Sequence, residues 1–215
     1  MATKHGVVIV VIAVLMGSGM FYAHNGLAAS ADISYSVLQV DPSVDPMAPV
    51  VPGSSSMLVR TDKGITMTIH TSGLQPGAAY TVWWGIFNNP EECAVPHQCV
   101  PMPDLGNPDV LGTVLNATGH VIGKNGVGNF AAHLAEGDKS GLSLPIEFPG
   151  DEFGLIDARK AMILLAVRTH GQPIPGQVKE QISMFNGGGC HDFESDPPEP
   201  DPTDACADVQ FTVFP

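Results

Sequence analysis

Of the eight histidines in this 215-residue chain, six follow residue 31: His70, His97, His120, His133, His170 and His191. None forms an H-x-H or H-E-x-x-H pattern, so a metal centre would have to be assembled from distant segments. His97 and Met102 offer soft ligands suited to copper, and with His133 and His191 they form the candidate set for copper or zinc. A second candidate, for calcium, is the run Asp192, Glu194, Asp196, Glu199, Asp201 and Asp204. It lacks the spacing and turn glycine of an EF-hand, and its prolines resist wrapping an ion, so it reads as a solvated acidic loop. No G-x-S-x-G, C-x-x-C or phosphate-binding glycine loop is present. For an enzyme the residues to consider are Arg168 and His170 at the end of one apolar run, with Glu180 or His133 as candidate neighbours.

Four cysteines, Cys93, Cys99, Cys190 and Cys206, sit in segments rich in Pro, Asp and Gly. Their C-x5-C and C-x15-C spacings are not those of zinc knuckles, and an even count in an exported chain reads as disulfides. The favoured pairing, Cys93 with Cys99 and Cys190 with Cys206, ties the loops 88–109 and 187–207. Export is expected from the N-terminus, where Lys4 and His5 precede the apolar run Val7 to Met16, then Gly17, Ser18 and Gly19, and finally Ala29-Ser30-Ala31. That order is the layout of a signal peptide over residues 1–31, with a periplasmic, cell-surface or secreted destination. A retained anchor is the rival reading, but the apolar stretch is short of the ~20 residues a span needs. No membrane span is expected after cleavage.

Residues 32–215 then form a single domain, large enough to bury a substantial core. They hold all 22 acidic residues against eight of the nine basic ones, a net charge near −14 (8 minus 22). Such a field repels nucleic acid and anionic membranes, so the expected partners are a neutral, cationic or metal ligand, or another envelope protein.

The segments that must position these residues are short. Apolar runs bounded by Gly, Pro, Asn and Asp recur at 33–40, 57–61, 65–71, 79–87, 110–116, 120–122, 127–135, 160–169, 180–185 and 208–214, and no long stretch carries a helical stripe. Roughly eight to ten short strands predict an all-β, Greek-key sandwich, with a closed antiparallel barrel of lipocalin or dirigent type as the alternative. Asn125-Gly126 predicts a hairpin over 119–135. Met162 to Val167 is apolar on both faces, as a central, doubly covered strand should be. The nearest helix candidate is the short stretch 155–160. If Tyr80 points inward, alternation puts Val82, Trp84 and Ile86 in the core and sends Trp83 and Phe87 to the opposite face. Those two aromatics would form either an exposed stacking platform or, the favoured reading, a surface covered by the 88–109 loop. Asn116-Ala117-Thr118 is a formal glycosylation sequon.

The segment Gly73-Leu74-Gln75-Pro76-Gly77-Ala78-Ala79-Tyr80-Thr81-Val82 resembles the tyrosine-corner run of fibronectin type III and related sandwiches. The resemblance implies a Tyr hydroxyl bonded back to an upstream backbone group. More broadly, the blocks Tyr80–Trp84, Phe87–Pro90, Val167–Gly171, Met184–Gly188 and Asp208–Phe211 resemble those of exported bacterial β-sandwich proteins to which no activity is attached.

The resulting functional expectation is a non-catalytic exported binding or structural protein. Its ligand surface is placed where the 88–109 loop meets Trp83, Phe87, Arg168 and His170. A metal-binding protein and a small β-fold enzyme are the alternatives.

Overall fold

The computed structural model of the chain describes residues 31–42, 44–188 and 206–215. Residues 1–30 of the expected signal segment, the acidic run and both Cys190 and His191 lie outside the described residues. The strands are β1 (Asp32–Ser36), β2 (Gln39–Val40), β3 (Ser55–Thr61), β4 (Gly64–Thr71), β5 (Ala79–Phe87), β6 (Gly112–Val121), β7 (Gly128–Ala135), β8 (Met162–His170) and β9 (Cys206–Phe214), with one-turn helices α1 (Pro101–Asp104) and α2 (Val178–Gln181). They form two separate antiparallel sheets, ordered β1-β3-β4-β7 and β2-β9-β8-β5-β6, so the fold is the sandwich and not the closed barrel.

Alternation explains what each sheet contributes to the space between them. From one sheet Leu58, Ile65, Met67, Ile69, Phe130 and Leu134 point inward; from the other come Tyr80, Val82, Trp84, Ile86, Ile163, Leu165, Val167 and Phe214. β5 has no exposed residue along its length, and β8 lies between β5 and β9 with both faces covered. The hydroxyl of Tyr80 accepts the Gln75 backbone N–H at 2.9 Å, which satisfies the polar end of a buried ring.

Three sequence expectations are corrected. The 119–135 segment is not a hairpin: β6 pairs with β5 in one sheet while β7 pairs with β4 in the other. The Asn125-Gly126 turn does form, with Gly126 N–H donating to Gly123 O at 3.1 Å, but it carries the chain around the sandwich end. Turn chemistry fixes the reversal and leaves the pairing partner open. The 180–185 run is no strand; it holds the end of α2 and a turn. Gln181 is buried there, its amide donating to His170 O at 2.9 Å and Gln172 O at 3.1 Å while its oxygen accepts Ile174 N–H. Residues 155–160 form turns and not a helix. Among the described residues no helix is long and apolar enough to cross a membrane.

Candidate functional site

The outer face of the five-stranded sheet is built from the alternate residues of its central strands. β5 presents Thr81, Trp83, Gly85 and Phe87, and β8 opposes them in register with Arg168, Ala166, Leu164 and Met162. The ladder is irregular on both flanks of this row. Ala117 on β6 and Val209 on β9 are each an extra residue, because Val82 and Trp83 pair with Thr118 and Asn116 while Val167 and Arg168 pair with Gln210 and Asp208. A bulge re-aims the side chains beside it, and Asp208 consequently turns onto the outer face.

Three segments cover this face and leave a cavity of about 290 Å³ beneath them. The floor is Trp83, Gly85 and Phe87 with Val114, Leu164 and Ala166; Pro101, Met102 and Leu105 close one side, Leu144, Ile146 and Phe148 form the roof, and Phe185 and Asp208 close the far end. Asp208 is the one acidic or basic side chain among these described lining residues. A larger recess of about 540 Å³ is lined by residues of 142–152, with Glu147, Asp151 and Glu152 beside Leu144, Ile146 and Phe148.

The first cover is the cysteine loop. Cys93 and Cys99 are joined, and with Leu105 and Val110 they pack over Phe87 and Met162. Asp104, only 1% exposed, closes a second ring inside it by accepting the Ala94 and Val100 N–H groups, each at 2.8 Å. Cys93, Cys99 and Asp104 are the close group of ligand-type atoms among the described residues, but the sulfurs are already bonded to each other and the carboxylate already holds two amides. This is a loop clasp. We expect Asp104→Ala to cost about 1 to 3 kcal/mol and to speed amide exchange at Ala94 and Val100 first, since two partly buried donors lose their charged acceptor. Unchanged exchange at those amides would refute the clasp.

The second cover, an arch from Gly141 to Gly150, is tied to the start and the middle of β6. Asn116 N–H donates to Gly141 O at 2.7 Å, and Gly150 N–H donates to Gly112 O at 2.8 Å. Both anchors need glycine, because a Cβ would stand 2.5 Å from Asn116 O at the first and 2.3 Å from Leu111 O at the second. Between them Leu144, Ile146 and Phe148 alternate toward the cavity. Sequence reasoning missed this arch: its period-two apolar pattern is legible, but Pro145 and Pro149 argue against a paired strand.

The third cover is the turn after α2. Phe185 meets Trp83 edge-on, with ring centroids 5.1 Å apart, and the Arg168 guanidinium lies 4.0 Å from the Phe185 ring centre on a side that does not line the cavity. Arg168 also reaches Asp208 at 3.5 Å. His170 is 3% exposed and sits in a chain of hydrogen bonds: Trp83 Nε1–H donates to Thr81 Oγ1 at 2.7 Å, Thr81 Oγ1 meets His170 Nε2 at 2.9 Å, and His170 Nδ1 meets Gly187 O at 3.1 Å. A carbonyl can only accept, so Nδ1 carries a proton, and in the neutral imidazole Nε2 accepts from Thr81.

The expected ligand residues thus separate by role. Trp83 (2% exposed) and Phe87 (0%) are covered and form no exposed platform, and both line the cavity. Phe87 lies under the expected loop, Trp83 under Phe185 instead. Arg168 and His170 are buried behind the cavity wall and hold its third cover in place. Of the copper or zinc set, the described members His97, Met102 and His133 do not converge, and His191 is outside the described residues. Met102 is 70% exposed at the cavity mouth and His97 is on the cysteine loop, whereas His133 is on the outer face of the other sheet, 2.9 Å from Thr66 Oγ1. Neither His133 nor Glu180 lines the cavity. Cys206 is also disulfide-bonded; its expected partner, Cys190, is outside the described residues. The Asn116 amide nitrogen is buried, out of reach of a glycosylating enzyme in the folded chain.

Compared with known proteins, the chain matches no family model, no curated protein and no solved structure.

Proposed function

We propose that this chain is an exported, non-catalytic binding protein that holds one small apolar molecule in the cavity between the five-stranded sheet and its three covers. The observation that carries the reading is the cavity itself, about 290 Å³ of space whose described lining residues are apolar except for Asp208. Ligand pockets run from about 300 to 1,000 Å³ and are mainly apolar with a few placed polar groups, so this volume fits a compact ligand. Export is supported by the signal-like N-terminus and by the Cys93–Cys99 disulfide, a bond that persists in oxidising compartments. The resemblance to exported bacterial sandwich proteins points the same way.

The test is calorimetric titration of the oxidised protein with toluene and with decanol. Saturable binding of at least one, with a negative heat-capacity change from burial of apolar surface, is the expected result. Ala166 lines the floor, so Ala166→Met should fill the cavity and remove that binding. Neither probe binding, or binding indifferent to Ala166→Met, would overturn the reading.

A further inference from the structure

Gly85 stands in the middle of β5, a strand with neighbours on both sides, where a glycine packs nothing and costs conformational entropy. Its position is specific. It points to the outer face between Trp83 and Phe87, the two largest side chains of that face of β5, and opposite Val114 on β6 and Leu164 on β8. The backbone does not demand glycine by a left-handed conformation, since Gly85 is not among the glycines of positive φ. Nor does close backbone contact demand it: a Cβ would meet the Leu164 side chain at 3.3 and 3.4 Å, a flexible neighbour that can give by a few tenths of an ångström. What the missing side chain leaves is a gap in the cavity floor between two aromatic walls. A glycine inside a strand often marks where a ligand approaches the backbone closely.

We infer that the cavity takes a planar ring compound, neutral or cationic, that lies across Gly85 between Trp83 and Phe87 with its polar end toward Asp208. This rests on the cavity being a binding site and adds the class of ligand. A flat ring can lie on the flush floor that Gly85 leaves and meet aromatic edges at both ends, whereas a flexible chain gains little from flatness and loses more rotamer freedom on binding. The charge preference follows from the lining. Asp208 is the one acidic or basic side chain among the described lining residues, and Arg168, which pairs with that carboxylate, is not one of them. An anionic ligand would meet a carboxylate with no cation on the wall to receive it, inside a protein of net charge −13.

The probes are naphthylmethanol, naphthylmethylammonium, naphthoate and decanol, titrated into the oxidised full chain and into Gly85→Ala. The two non-anionic rings should bind at least about tenfold more tightly than decanol and than naphthoate. Gly85→Ala raises the floor by one methyl group; it should weaken ring binding about tenfold, change decanol binding much less and leave the melting temperature within about 2 °C. Should Gly85→Ala itself prove unstable, Asp208→Asn gives a second reading, because it should narrow the gap between naphthoate and naphthylmethanol. The inference is overturned if decanol binds as well as the rings, if Gly85→Ala weakens rings and decanol equally, or if naphthoate binds as tightly as its alcohol. In each of those cases a cavity that binds still stands. Failure of all four probes removes the binding reading itself, as does failure of its own test with toluene, decanol and Ala166→Met.

Discussion

Replacing Trp83 with alanine should lower the melting temperature by about 10 °C, corresponding to a loss of about 3 to 5 kcal/mol in a domain of this size. The indole is 2% exposed, stacks edge-on against Phe185 and donates its N–H to Thr81, which in turn orients His170. Truncation therefore enlarges a cavity and leaves Thr81 and the His170 chain with one donor fewer. Thermal unfolding followed by circular dichroism measures the effect. A change below about 2 °C would mean that Phe185 does not cover Trp83 in solution, and that Trp83 is an exposed stacking surface after all. The same variant should bind apolar probes in altered proportion, but stability is the primary reading because it needs no ligand.

The second large effect is expected at Arg60→Met. Arg60 is 5% exposed, yet its hydrogen-bond acceptors are all backbone carbonyls: Nη1 donates to Ala158 O at 2.9 Å and Ala161 O at 2.7 Å, and Nη2 to Phe214 O at 3.3 Å and Pro215 O at 3.2 Å. Burial lowers its pKa, and the nearby Asp32 charge partly offsets that. A single guanidinium thus joins β3, the turn before β8 and the end of β9. Methionine keeps the apolar stem but leaves four carbonyls without that donor, and a loss of about 3 to 5 kcal/mol is expected in urea unfolding. Arg60→Lys, which keeps the charge but not the fork of donors, should fall between wild type and Arg60→Met. If Arg60→Met unfolds at the wild-type urea midpoint, the clasp contributes nothing to stability.

What the sequence made legible was what depends on period and on local chemistry. The inward set Tyr80, Val82, Trp84 and Ile86, the opposite set Trp83 and Phe87, and the doubly covered Met162 to Val167 strand follow from alternation and apolar density, and the structure has them so. What stayed hidden depends on which distant segment arrives. Gly123 to Gly126 specifies a turn whether the strands beyond it share a sheet or not. The Glu180 to Phe185 run has the residue types of a strand, but Gln181 finds three backbone partners only in a helical turn. Of the candidate site, Trp83 and Phe87 were legible; Leu144, Ile146 and Phe148 were not, because proline conceals their alternation. The functional weight of Gly85 shows only once its neighbours on β6 and β8 are known.

The position of β9 has a consequence for how the chain reaches its native state. β9 is the C-terminal strand, yet it lies inside its sheet, between β2 from the N-terminal part and β8, and Arg60 grips its last residues. The sheet therefore closes across a separation of about the whole domain, a topology of high contact order in which the entropy of closing a long loop is spent before the contacts repay it. Until β9 docks, the apolar β8 presents an unpaired edge, the kind of edge on which chains associate with one another. A molecule in which β9 has not yet docked therefore exposes an aggregation-prone edge, and Phe214 and Arg60 are among the groups that hold the final strand once it is in place.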